Sequence, residues 1–390
     1  LNVQKFSISV SDDNENFTQI YANDKIEFHR LCTFDTVKAR YVKLTVEKSD
    51  NLPKIREMEI YNAVPEKKND FRVSTYSTLG GSVFGIIDDT TLSDAEKDAK
   101  IKELIDADYY DTVTDYIDIG NVRWDEEGII HTDGWDGIER DEDKYYAVMM
   151  RNLHEVLDEK GVNLVITILN PSGENGNQRV MKSITENRDT LITNMIAFAN
   201  KYEFDGIDLD WEFPLSQDEF DAYNSFLQEL KARMKTEMWN KEDATLSLAL
   251  ATWALKYTPE TIECIDYVNV MGYDILDQDG QHSSFFSSCV QAADYIEIQG
   301  FSKEQINIGF PFYGTWEGGR MEQYAYNAIS EEISPFNNFY TMKKSDTKED
   351  RYTYFNSQAI IRDKTAYAYL KGYGGVMIFS QYCDLPSDDE

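Results

Sequence analysis

The sequence predicts an α/β chain: a closed (β/α)8 barrel of the TIM type with a small N-terminal all-β segment in front of it. Three observations carry this. From Phe71 onward, eight short apolar runs alternate with helical stretches, the pattern of parallel strands joined by crossover helices. Residues 1–62 instead show period-two alternation that no helix interrupts. A length of 390 residues accommodates a barrel of usual size and a smaller neighbour.

Taken in order, Phe6-Ser-Ile-Ser-Val10 and Arg40-Tyr-Val-Lys-Leu-Thr-Val46 alternate as half-buried strands do, with turns at Asp12-Asp-Asn14 and Ser49-Asp-Asn51. Residues 63–70 form a polar linker, and the barrel fills 71–390. Its strands are expected at 71–76, 112–122, 163–169, 204–213, 244–251, 265–273, 306–312 and 374–380. Asn163-Leu-Val-Ile-Thr-Ile-Leu169 is nearly all apolar, as a strand buried on both faces is. Helices are expected at 93–107, 141–160, 180–202, 217–236, 285–299 and 356–371. The second carries an apolar stripe of Val148, Met149, Leu153, Val156 and Leu157, and Gly161 punctuates its end. The stretch 314–355 has room for a small excursion or a cleft-lining loop. Leu1 reads as a mature or trimmed start, and the lack of a helix after the eighth strand reads as a trimmed chain or an unstructured tail.

Thirty-eight basic against 71 acidic residues give a net charge of −33, which repels phosphate backbones and anionic bilayers. Nucleic acid and membrane surfaces are therefore excluded as partners, and no apolar run approaches the ~20 residues of a membrane span. Cys32, Cys264, Cys289 and Cys383 contain no CxxC pair, and His29, His131, His154 and His282 do not cluster with them. No zinc, no disulfide framework and no cofactor is expected. Aromatic residues make up 13% of the chain and suit sugar recognition, since a flat ring stacks on a pyranose face; filling a large core accounts for most of them.

The chemistry concentrates in Phe204-Asp-Gly-Ile-Asp-Leu-Asp-Trp-Glu-Phe-Pro214. Alternate strand residues share a face, so Asp208, Asp210 and Glu212 point into the barrel while Ile207, Leu209, Trp211 and Phe213 face the helices; Asp205 stands at the strand's start. Three carboxylates in a row lose water and repel one another, and shared protons are the simplest relief. Such a row titrates as a coupled set and holds a carboxyl protonated near neutrality. Glu212 comes last, at the C-terminal mouth where barrel enzymes place their sites, and a held proton there is what a general acid needs. Acidic strand ends also bind divalent cations, so magnesium or manganese is the alternative.

These residues match the family 18 glycoside hydrolases (chitinases and relatives), whose DxxDxDxE signature stands complete as Asp205, Asp208, Asp210 and Glu212. The resemblance covers roughly 71–384. It extends to Val270-Met-Gly-Tyr-Asp274, similar to the family's MxYD; to Gly309-Phe-Pro-Phe-Tyr-Gly314, similar to GxPFYG; and to Lys371-Gly-Tyr-Gly-Gly-Val-Met-Ile378, similar to KGxGGVMxW. Two positions depart from it. Thr167-Ile-Leu-Asn170 stands where the family has SxGG, keeping a hydroxyl but no glycines, and Phe379 stands where the family's Trp forms the floor under the reacting sugar. Upstream, SISVSDDNENFTQIY, ARYVKLTVEKSDN and IREMEIYN resemble the second half of a discoidin-type (coagulation-factor type C) β-sandwich, with sugar binding and a structural spacer as its two readings.

The resemblance implies retaining, substrate-assisted hydrolysis of N-acetylglucosamine polymers. Glu212 is the implied acid and base, Asp210 orients the 2-acetamido N–H, Asp208 shares a proton with Asp210, and Tyr273 donates to the acetamido carbonyl. Asp274 is expected near the cleaved bond or capping its own turn. Tyr76 either hydrogen-bonds the carboxylate row or is a core tyrosine. Tyr313 and Trp316 are expected to extend the cleft, and Trp253 either lines it or packs in the core. Phe379 and the altered third strand keep open an endo-β-N-acetylglucosaminidase acting on the chitobiose core of N-glycans. A non-catalytic chitin-binding lectin on the same barrel and an adhesive role for the N-terminal segment are the remaining readings. A polymeric substrate leads one to expect an extracellular or cell-surface location.

Overall fold

The computed structural model describes residues 3–23, 26, 30, 32, 34–55, 58–61, 70–105, 108–133, 138, 140–274, 286–316, 319–328, 339–343 and 350–385. Eight parallel strands form a closed barrel: Arg72–Ser77, Asp115–Trp124, Asn163–Leu169, Gly206–Leu209, Thr245–Leu250, Tyr267–Val270, Ile306–Pro311 and Gly375–Phe379. Each pairs with the next, and the eighth pairs with the first to close the wall, Gly375–Ile378 against Arg72–Thr75.

Strand alternation gives this wall two unlike faces. Outward residues such as Ile207, Leu209, Leu246, Leu248, Val268, Val270, Ile306 and Ile308 join one large apolar cluster under the helices. Inside, a small cluster of Tyr76, Ile117, Ile119, Val165 and Met377 shares the lumen with polar residues. Ser74, Thr167, Asp208, Ser247, Asn269 and Asn307 are all fully buried.

The helix over Gln217–Glu237 begins in a capping box, where Ser216 accepts from the Glu219 backbone N–H and the Glu219 carboxylate reaches back to the Ser216 N–H. The single helix expected over 180–202 is two, Gly176–Thr185 and Arg188–Lys201. Asn187 breaks it: its side chain donates to the Glu126 carbonyl at 2.8 Å, holding its backbone out of the helix. A helix over Gly80–Asp88 escapes the sequence pattern because it is apolar nearly all round and carries three glycines. The long 314–355 stretch is a four-stranded antiparallel sheet, in spatial order Gly319–Ala325, Tyr313–Trp316, Asp350–Tyr354 and Phe339–Lys343.

Ahead of the barrel, Val3–Ser11 runs between Thr18–Asn23 and Tyr41–Ser49 in an antiparallel sheet, around Val3, Phe6 and Ile8. Lys371 of the barrel reaches Glu59 at 3.2 Å. The linker expected at 63–70 lies, except for Asp70, outside the described residues. Among the described residues no helix is long and apolar enough to cross a membrane.

Candidate active site

The fourth strand sends Asp208 into the lumen, between the third and fifth strands that pair with it. Its ladder ends at Leu209, short of the expected 213, because neither neighbour pairs with it further. Asp210 and Glu212 follow on the exit toward the mouth, and the Glu212–Phe213 and Phe379–Ser380 peptides are cis.

Asp208 accepts three hydroxyl hydrogen bonds: Ser247 Oγ at 2.6 Å, Thr167 Oγ1 at 2.8 Å and Tyr76 Oη at 3.0 Å. Burial raises its pKa above the ordinary value, and donation from Ser247, Thr167, Tyr76 and Asn269 opposes that rise. Asp210 has no such relief. Its pKa is pushed well up, by burial first and then by the charges of Glu212 and Asp208. Its buried Oδ1 finds no hydrogen-bond partner among the described residues. Glu212 stands exposed at the mouth, yet desolvation and then the Asp274 charge raise it too. Burial thus favours the protonated form along the whole row, and at Asp208 the hydroxyl donors oppose it.

An aromatic nest faces this row. The Phe379 ring lies nearly parallel to Tyr273, with centroids 5.8 Å apart and planes at 16°. It meets Tyr76 and Tyr313 edge-on at 6.0 and 6.2 Å. Desolvation, with Asp210 and Asp274 nearby, holds the Tyr273 hydroxyl well above its ordinary pKa, so it stays a donor. Gly309 makes room for this ring: a Cβ there would stand 2.2 Å from the Val270 carbonyl and 3.1 Å from Tyr273 Cε1. Asp274 adopts φ 55°, a left-handed conformation that Asp tolerates, and accepts from Tyr313 Oη at 2.9 Å. Trp253, half exposed, packs edge-on against Phe213 at 4.9 Å.

The structure therefore gathers Tyr76, Thr167, Asp208, Asp210, Glu212, Tyr273, Asp274, Tyr313 and Phe379 around one mouth. Asp205, which the family signature groups with the substrate-binding residues, is a correction. It stands at the opposite end of the fourth strand, where its Oδ2 accepts the Leu164 backbone N–H at 2.9 Å, so it ties two strands at the barrel floor and does not reach the cleft. Trp316 lies on the strand Tyr313–Trp316, and its side chain is outside the described residues. Ser247 and Asn269 were not among the sequence candidates. Their signal was present: a small polar residue at an inward position in a mostly apolar strand. Among the described residues, no three His, Cys, Asp or Glu side chains converge to hold a metal.

Residues 109–384 match the model of the family described as glycosyl hydrolases family 18. A class V chitinase of Arabidopsis thaliana is 26% identical over 196 residues, 44% of this chain and 52% of that protein. The killer toxin subunits alpha/beta of Kluyveromyces lactis are 38% identical over 104 residues, 23% of this chain and 9% of theirs. The chain thus spans about half the length, or less, of these relatives. The crystal structure of a chitinase from Bacteroides thetaiotaomicron superposes with TM-score 0.60 over 82% of this chain and 92% of that one. At 20% identity, that likeness establishes the fold.

Proposed function

This chain belongs to glycosyl hydrolases family 18 and is a glycoside hydrolase, and from that premise we propose that it cuts β-1,4-linked N-acetylglucosamine polymers or oligomers of the chitin kind. The observation that carries the substrate class is Asp210: a buried carboxyl oxygen with no partner among the described residues, beside a tyrosine hydroxyl that keeps its proton. An acceptor and a donor side by side suit an acetamido group, whose N–H and carbonyl offer the reverse pair.

On this reading Glu212 protonates the glycosidic oxygen, and the acetamido oxygen of the sugar attacks the anomeric carbon. Asp210 accepts the acetamide N–H, and Tyr273 donates to its carbonyl oxygen. The negative charge on Asp208 and the Asp210 oxygen stabilise the positive ring that forms. Water then adds with Glu212 as base, so configuration is retained. Phe379 forms the floor of the cleft, Tyr313 holds Asp274 beside Glu212, and Asp208, which accepts from Thr167 and Tyr76, shares a proton with Asp210. The catalytic barrel takes in 71–390. On the same reading residues 1–62 are a partial discoidin-like module joined by 63–70, and a polymeric substrate calls for a location outside the cell or on its surface.

Hydrolysis of a chromogenic N-acetyl-chitobioside by the native chain and by Glu212→Gln tests the proposal. Turnover by the native chain, lost in the variant while oligomer binding persists, is the expected result. No turnover on chitin oligomers, together with release of glycan from a glycoprotein, overturns the substrate assignment.

A further inference from the structure

Below the active site, a line of buried polar side chains runs down the barrel to its floor, and the mechanism above does not use it. Arg72, half-exposed at the start of the first strand, donates Nε–H to Asn307 Oδ1 at 3.2 Å. Asn307 Nδ2 donates to Asn269 Oδ1 at 3.1 Å and to Ser74 Oγ at 3.3 Å. Asn269 Nδ2 donates to Tyr76 Oη at 3.0 Å, and Tyr76 donates to Asp208. Asn269 and Asn307 are completely buried.

We propose that Arg72, Asn307 and Asn269 are positioning residues of this site: they form a one-directional hydrogen-bond chain that commits the Tyr76 hydroxyl to Asp208 as a donor. Donor chemistry sets the direction. A guanidinium has only N–H groups, so Arg72 occupies the Asn307 carbonyl and turns the Asn307 NH2 toward Asn269. The Asn269 carbonyl is thereby occupied in turn, and its NH2 faces Tyr76. The Tyr76 oxygen already accepts, so its single proton goes to Asp208. Reversing one amide alone would set like groups face to face, at about 1–3 kcal/mol for each unmet buried group. The cation at the floor therefore decides which way the whole column points.

The inference rests on the proposed reading of the site and adds the residues that prepare it. The groups that act electrostatically with Asp208 are Asp210 on its own strand and, from other elements, Tyr76, Tyr267 and Tyr273, with Tyr223 across the wall. All four tyrosines are neutral near pH 7, since burial raises each well above its ordinary value, so donors and Asp210 govern the Asp208 charge. Freed of the cation, the amides can reverse, Asp208 loses the Tyr76 donor to its ionised form, and it takes up a proton at higher pH.

The test is the titration of Asp208, followed by carbon-13 NMR of aspartate-labelled full chain and assigned by the resonance missing in Asp208→Asn. Arg72→Met and Asn307→Leu are expected to raise its midpoint by several tenths to about one pH unit, a two- to tenfold change in proton affinity. The acidic limb of kcat/KM on chitin oligomers moves up with it. Arg72→Lys, again donors only, holds the native midpoint. An unchanged midpoint in Arg72→Met, or an equal rise in Arg72→Lys, overturns the proposal. Arg72 is half-exposed at the floor, so its pair of variants decides the matter if Asn307→Leu does not fold. The carboxyl titration needs no turnover, so a native chain inactive on chitin oligomers refutes the functional reading while still testing the chain of donors.

Discussion

Ile207 and Asp208 are consecutive residues on one strand, both with no exposed surface, and they face opposite sides of the barrel wall. Ile207 joins the apolar layer under the helices, where burial alone stabilises the fold. Asp208 faces a lumen whose buried polar groups are held by partners from the first, third and fifth strands. The outer face also holds a buried carboxyl, Asp118, with two donors, Asn121 and Tyr146, and its pKa is raised to about 7. The difference teaches where each face carries its weight. The outer face makes the barrel stable, and the inner face keeps a charge ready in a place that otherwise disfavours one.

Four substitutions sharpen or break this division. The largest effect belongs to Glu212→Gln, expected to lower kcat by roughly 10²–10⁴-fold with the melting temperature unchanged. Loss of fold instead of loss of rate would erase the distinction between the two faces. Ile207→Ala is the counterpart, expected to cost about 2–5 kcal/mol in denaturant unfolding while the folded fraction keeps its kcat. Asp118 carries a pH signature. The folded state holds its proton up to about pH 7, whereas the unfolded chain releases it near the ordinary value of 3.8. Stability is therefore complete below the unfolded value and is lost as pH rises through that window, by at most ~1.4 kcal/mol per pH unit. Asp118→Asn should flatten the slope of melting temperature against pH between 5 and 7; an unchanged slope assigns the proton elsewhere. The smallest effect is at the floor of the cleft, where Phe379→Trp adds ring area and an N–H and is expected to tighten oligomer binding a few-fold, about 1 kcal/mol. Weaker binding would show that Tyr76, Tyr273 and Tyr313 leave no room for the larger ring.

Much of the site was legible because it lies on short stretches of chain. Asp208 turns inward by strand alternation alone, and Tyr273-Asp274 and Phe379 sit at the ends of apolar runs. Asp205 shows the limit: a motif places residues in order, and only the strand's direction in space puts one at the floor and another at the mouth. The Arg72–Asn307–Asn269–Tyr76 line was not legible, since its members lie on three strands far apart in sequence, with Asn269 and Asn307 each the one amide in a short strand and Arg72 and Tyr76 in a first strand that is polar along most of its length. The split at Asn187 was hidden for a related reason: its partner Glu126 comes from a loop of another strand.

Closure of the wall by Arg72–Thr75 against Gly375–Ile378 has a consequence for the birth of the enzyme on the ribosome. Tyr76 emerges early and Phe379 among the last barrel residues, and the two rings meet only once the ends are joined. A nascent chain short of the eighth strand carries the whole acidic row yet lacks both its aromatic floor and one edge of its sheet. Competence therefore arrives as a step when the eighth strand joins the first, not as a gradual gain with each strand.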